Sequence, residues 1–562
     1  MSKFKKTLSF IMAVALTVAT FSLTGCGGHR GEGDVEVNTS QTQLYIGNYG
    51  GGFGTRWLDE YIKLFEEKYK DVEYEPGSGK KGVQVIPVTD QDTYSGKQIK
   101  NTMKNSTINV YFSEIVDYYD LVSEGLLYDI SDVADSVCEG ETRKISDKLT
   151  EEQKLHLTRA KKDANGNYDG KYYALPSYQA FRGITYDVDL FDQKKLYFSD
   201  EGMIECSLSS TNRSAGPDGV KGTYDDGLPA TYNQFFELCD YIKDDLSYIP
   251  ICWTGAYKES YTEHLLDALY ADAQGKDEYN IRYDLGTNGT KETDMITGFD
   301  GSGNPVIEKK AINVDPSSLE KENNYTEISK QKGLYYSLDF LAKLVNNGYA
   351  DPTSYAGAYT QTLTHYKYLH SRFGTDKPIA MMLEGTWWEE EANDTFEGME
   401  NVGAGRYQRR LGFLPLPKAP GVEAGPQTLF NGNNSYVMVN GNCNENIARA
   451  AKDFIRFISS DEMLNLFTKY TGICKDYNYE VKPEILDNLS YYAKSVYEVR
   501  KNADIVYAND MSIDTYKWRK FNEIDVFDTN IDGVRYSFPV DAFKDYNVDA
   551  KDYFNGLYAK NR

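Results

Sequence analysis

Along residues 44–127 short apolar stretches alternate with helical ones, and no other feature limits the fold as strongly. Residues 44–47 read as a strand, followed by the loop Asn-Tyr-Gly-Gly-Gly-Phe-Gly at 48–54. Trp57, Tyr61, Leu64 and Phe65 then recur at near-helical spacing over 56–69. Strands are predicted at 83–88 and 108–112, with helices at 98–104 and 118–127. Such alternation calls for an α/β fold with a parallel sheet. In an open sheet of that kind ligands sit outside the carboxyl ends of the strands. The glycine-rich loop after the first strand therefore faces the expected cleft, where its glycines permit close backbone approach. Further on, 333–346 and 446–470 are strongly helical. The Gly-, Asn- and Asp-rich stretches 207–229 and 286–304 read as surface turns or hairpins.

The N-terminus is not part of that fold. Lys3, Lys5 and Lys6 precede an apolar run over 8–21. A bilayer needs about 20 apolar residues, so the run is too short to span one. Its layout is that of an export signal, and it ends Leu23-Thr24-Gly25-Cys26. That ending resembles the bacterial lipobox, which implies cleavage before Cys26 and a diacylglycerol on its thiol. Residues 26–43 are polar and too poor in apolar side chains to build a core, so they read as a flexible tether. The chain is thus expected on the extracytoplasmic side of a cell membrane, held there by lipid.

The net charge is −24, and removing residues 1–25 takes away three lysines and no acid. Nucleic-acid phosphates would be repelled by such a body. Six cysteines follow Cys26 and none forms a CxxC pair, so zinc is not expected. An even number permits disulfides without fixing their pairing. His365 and His370 are five apart and do not share a helical face as ligand pairs do. Asp218, Asp225 and Asp226 cluster in a Gly-rich loop; a structural calcium ion and a solvated turn are both open there. No cofactor is called for. Of 562 residues 47 are tyrosine, a flat apolar face with a hydroxyl, suited to polyhydroxylated ligands and equally to any exported surface.

Four passages in order carry a family likeness. The first is the opening strand, Gly-rich loop and Trp57 helix. Next come Asp169-Gly170-Lys171-Tyr172-Tyr173-Ala174-Leu175-Pro176 and Gly183-Ile184-Thr185-Tyr186-Asp187. The third is Ala-Met-Met-Leu-Glu-Gly-Thr-Trp-Trp at 380–388. The fourth runs from Leu414-Pro415-Leu416-Pro417 through 431–439 and 448–467 to Thr471-Gly472. Together they resemble the extracellular solute-binding proteins specific for carbohydrates. The resemblance implies two α/β lobes joined by a hinge, with a ligand cleft between them. Residues 44–177 plus 433–478 would form lobe one, and 178–432 plus 479–562 lobe two. It also implies no catalysis, a carbohydrate ligand (an oligosaccharide), and membrane permease subunits of an ABC importer as partners, with the protein itself a monomer. A surface-anchored glycan-degrading enzyme, which needs paired carboxylates, and a binder of another polar solute are the alternatives.

A sugar ring asks for a flat apolar platform and planar polar groups around its rim. The resemblance makes Trp387 the platform and leaves Trp388 to pack. Asn48 and Tyr49 belong to the Gly-rich loop. Ser113, Glu114 and Asp117 follow a strand end, where carboxylates accept strong hydrogen bonds. Tyr178, Gln179 and Arg182 lie at the first expected crossing. Asn431, Asn433 and Asn434 lie at the second, where amides both donate and accept. A third crossing is expected at 474–477. Trp253 and Tyr257 sit at a strand-to-helix junction where contact and core are equally open, and Trp518 is a further candidate.

Overall fold

The computed structural model describes residues 36–90, 93–287, 289–315, 324–521, 526–546 and 548–561. The export signal, Cys26 and the tether up to residue 35 lie outside them. The first sheet contains the strands Val83–Thr89, Thr42–Asn48, Val110–Ser113, Tyr436–Val439 and Ala174–Pro176, in that spatial order. Its first three strands are parallel. Tyr436–Val439 runs antiparallel to both neighbours, so the sheet is mixed instead of wholly parallel. The reason is topological: this strand returns from the other lobe and needs no helical crossover within its own sheet.

The second sheet has the order Leu411–Leu414, Arg182–Asp187, Ile379–Gly385, Ile249–Cys252. It too is mixed, since Ile379–Gly385 is antiparallel to Arg182–Asp187 and parallel to Ile249–Cys252. Every residue of Ile379–Gly385 is buried, as a central strand covered on both faces requires. Each sheet has its own core. Ile46, Trp57, Phe112, Phe454 and Phe467 belong to one, and Phe191, Phe235, Phe340 and Met381 to the other. Tyr479, Val481, Ile513 and Tyr516 join the first core from the C-terminal part of the chain.

Three segments pass between the cores side by side. Tyr178 bridges to Lys475 and Phe181 to Asn431. Gln179 N donates to Cys474 O (3.0 Å) and Ser177 N to Ser435 O (3.0 Å). One carboxylate ties all three: Asp476 accepts from Gln179 Nε2 (2.8 Å), Asn431 Nδ2 (3.4 Å) and Tyr507 OH (3.1 Å). Burial raises its carboxyl to about 6.

The helical stretch 446–470 is two helices, Glu445–Ile458 and Asp461–Thr471. Ser460 divides them because its hydroxyl caps Met463 N, satisfying a donor that a new helix start leaves open. The stretch 286–304 contributes to a hairpin, Glu292–Phe299 with Pro305–Ala311.

Trp388 is fully buried, with Phe396 and Tyr492 rings at 5.7 Å and His365 at 5.6 Å. Replacing it leaves a void these rings cannot close. Trp388→Ala is expected to lower unfolding free energy by about 3–5 kcal/mol in urea titrations.

Candidate functional site

A cavity of ≈ 240 Å³ opens between the lobes. Lobe one lines it with Tyr49, Gly51, Gly52 and Phe53, which follow the strand Thr42–Asn48, and with Glu114 and Ile115, which follow Val110–Ser113. Both groups lie at carboxyl ends of parallel strands, where an open sheet leaves its backbone uncovered. Lobe two adds Arg182, Trp387 and Glu391, then Tyr257, Tyr261 and His264 around the start of the helix Lys258–Gln274. Asn433 reaches in from the hinge.

Glu114, Asn433 and Arg182 form a polar chain from one lobe to the other. Asn433 Nδ2 donates to Glu114 Oε2 (3.2 Å), and Arg182 Nη2 donates to Asn433 Oδ1 (3.2 Å). Tyr178 OH donates to the same Glu114 oxygen from behind the wall, its ring edge-on to Phe53 at 4.3 Å. Burial raises the Glu114 carboxyl to about 7, against the lowering effect of Tyr49, Arg182 and Asn433. His264, half-buried, is held neutral by burial and by the Arg182 charge.

Trp387 is half-buried, its ring edge-on to His264 at 6.5 Å. A Cβ on Gly385 would come within 2.1 Å of the indole, so glycine there is what lets the ring rest against the strand end. Gly52, from the opposite lobe, has φ +39° and a Cβ position 2.7 Å from Trp387 Cβ. The lobes therefore meet at Gly52 and Trp387. Beside them Arg56 of lobe one pairs with Glu390 of lobe two (2.5 Å), which Arg406 also holds (2.5 Å).

Of the residues singled out in the sequence, Tyr49, Glu114, Arg182, Tyr257, Trp387 and Asn433 line this cavity. Others lie elsewhere. Asn48 is buried under the loop, its amide 3.5 Å from Thr89 Oγ1. Asp117 is exposed and faces Lys520 at 3.9 Å. Gln179 and Asn431 are bound to Asp476 within the hinge, and Asn434 donates to Ala508 O (3.1 Å). Trp253 is core, edge-on to Tyr355 at 5.4 Å, and Trp518 packs on Tyr325 at 4.5 Å. Both indoles sit among apolar partners supplied by distant segments. Sequence reasoning missed Tyr261, His264 and Glu391. Tyr261 and His264 are three apart on one helix face, and Glu391 is one turn after Trp387, so helical spacing carried the signal.

The acids of the 218–226 loop are engaged by the loop itself. Asp218 N donates to Asp225 Oδ2 (2.8 Å), Thr223 Oγ1 to Asp225 Oδ1 (2.6 Å), Gly222 N to Asp226 Oδ2 (2.8 Å) and Val220 N to Asp218 Oδ1 (2.7 Å). The carboxylates cap turns, and among the described residues they do not converge as a group of metal donors. The six cysteines from Cys138 onward are unpaired.

The cavity thus presents aromatic faces beside carboxylate, amide and guanidinium groups. Aromatic faces can pack against apolar rings, and the polar groups can hydrogen-bond hydroxyls. An ionised Glu114 accepts hydroxyl protons better than a protonated one. Affinity for an uncharged solute is expected to fall as pH drops through about 7, by at most roughly tenfold per pH unit. Titration calorimetry across that window checks it, and Glu114→Gln is expected to flatten the profile.

No curated protein sequence matches the chain. Among solved structures, a chitin oligosaccharide binding protein superposes with TM-score 0.54 at 13% identity, over 93% of this chain and 98% of that one. The maltose-bound T. maritima MalE3 gives 0.53 at 12%, over 92% and 99%. The solute-binding protein RafE in complex with raffinose gives 0.51 at 13%, over 92% and 98%. At such identities the likeness establishes the two-lobed fold. The family model of the bacterial extracellular solute-binding proteins matches residues 60–474, through parts of both lobes and two of the three hinge segments up to the start of the third, and the chain belongs to that family.

Proposed function

We propose that this protein captures a carbohydrate, an oligosaccharide, and delivers it to the permease subunits of an ABC importer without chemically altering it. The observation that carries this reading is Trp387, set on a glycine floor at the cleft with Glu114, Asn433 and Arg182 alongside. Stacking against the indole uses the apolar face of a sugar ring, and the planar polar groups take its hydroxyls. The structural neighbours named for chitin oligosaccharide, maltose and raffinose support a sugar as the solute class.

In this reading the protein works as a monomer, anchored through lipid on Cys26 at the outer side of the cell membrane. Among the described residues no helix is long and apolar enough to cross a membrane. In this reading attachment runs through Cys26. Cys26→Ser is expected to move the protein from the membrane to the soluble fraction while its melting temperature is unchanged; retention in the membrane fraction would overturn the anchor.

Chitin oligosaccharides, maltose and raffinose are suitable first probes, screened by thermal shift and then by calorimetry. Losing one aromatic from a binding site commonly costs about 2 kcal/mol or more, which is roughly thirtyfold in affinity. Trp387→Ala is therefore expected to weaken binding by that factor, with less loss of stability than Trp388→Ala. Normal affinity in Trp387→Ala would remove the platform from the proposal.

A further inference from the structure

Behind one wall of the cavity lie donors of a different kind. His365 on the helix Gln361–His370, Glu384 on the strand Ile379–Gly385 and Glu391 on the helix Trp388–Glu391 each offer one ligand atom, all within 4.8 Å of one another. The side chains of His365 and Glu384 are 1% and 0% exposed, whereas Glu391 is open to the cavity. His365 Nε2 lies 2.9 Å from Glu384 Oε2. Two donors bonded at the tetrahedral angle to an ion about 2.1 Å away stand about 3.4 Å apart, so these two would need to part by only about 0.5 Å to become neighbouring ligands.

An ion pair between His365 and Glu384 also accounts for that distance, but it leaves Glu391 unexplained. Among the described residues no hydrogen bond or ion pair holds Glu391, although it faces the carboxylates of Glu384 and Glu114. Glu384 and Glu391 thus share one imidazole, whereas Glu114 has the Arg182 guanidinium beside it. The supporting groups are in place. Gly385 N donates to the other oxygen of Glu384 (3.0 Å), and the His365 ring packs against Trp388 at 5.6 Å. Two donors are thereby held on rigid elements, and the third is free to swing inward from the side by which an ion would enter. One imidazole with carboxylates suits zinc and its transition-metal neighbours, whereas calcium takes an all-oxygen set.

We propose that His365, Glu384 and Glu391 form a binding site for a divalent transition-metal ion of the zinc class, whose open coordination positions face the solute cavity. The ion would displace the proton shared by His365 and Glu384, and a solute hydroxyl reaching Glu391 would meet it. The inference goes beyond solute capture, and the metal itself does not depend on that reading.

The test uses the purified full chain after chelator treatment, titrated with ZnCl2 by calorimetry and with CoCl2 by visible absorption, without sugar. One equivalent of zinc is expected, with a rise in melting temperature, because a metal that binds only the folded state stabilises it. Cobalt is expected to give the absorption of a low-coordinate site. Glu391→Gln and His365→Ala are each expected to weaken zinc binding at least tenfold. Should His365→Ala fail to fold, the cavity-exposed Glu391→Gln decides alone. No saturable binding, or one equivalent unaffected by Glu391→Gln, overturns the proposal, the latter placing the zinc elsewhere on the acidic surface. Sugar titrations of the metal-free protein report separately on solute capture, so the two readings fail independently.

Discussion

Asp476 is the point at which the segments joining the two lobes are tied together. Its carboxylate accepts from Gln179, Asn431 and Tyr507, and its own backbone carbonyl accepts from Gln153 Nε2 (3.1 Å). Each of the three segments joining the lobes thus contributes to one buried polar cluster. Breaking any of these bonds would strand a polar group away from water, which is more costly than the bond is favourable. The neighbouring Lys475 is enclosed as well, its ammonium 4.4 Å from the Phe467 ring and 4.8 Å from Trp57, and burial lowers it to about 7. The hinge is therefore a strand-like crossing with a fixed polar centre, and rotation of one lobe against the other is confined to the few residues around it.

With the hinge set in this way, the cavity is built from groups that no single lobe supplies. Glu114 follows a strand of the first sheet, Arg182 opens a strand of the second, and Asn433 lies in the hinge between them. Opening the cleft would break the chain Arg182–Asn433–Glu114, the contact of Gly52 with Trp387, and the Arg56–Glu390 pair. A solute that bridges the lobes replaces part of this chain and so favours the closed arrangement. That is differential binding to one of two states, the only means by which a ligand shifts such an equilibrium. Arg56 is well exposed and its pair adds little by itself; its place at the rim makes it a contact of the closed arrangement.

Much of the site was legible as local pattern. The loop after the first strand had to face the cleft because parallel strands leave their carboxyl ends open. Tyr49 and Glu114 follow from that rule. Trp387 was found through its motif, and the structure adds the cause, a glycine two residues before it whose missing side chain makes room for the ring. Tyr261, His264 and Glu391 were overlooked because they lie on helices, where attention to strand ends does not reach. Their spacing marks a common face but does not say which way that face turns.

The sequence by itself marked the α/β alternation over 44–127 and the strand ends that border the cleft, which follow from periodicity and turn chemistry acting over a few residues, whereas the two lobes were implied by the family resemblance of its motif passages. Only the tertiary structure decided which tryptophans line the cavity. Trp387 and Trp388 are adjacent, yet one lines the cavity and the other is wholly buried. Trp253 and Trp518, equally suited to stacking, are covered by Tyr355 and Tyr325. The antiparallel strand Tyr436–Val439, the Asp476 cluster and the gathering of His365 with Glu384 and Glu391 were likewise settled by packing. In each case the deciding partner comes from a distant part of the chain, and no local pattern records which distant surface a side chain will meet.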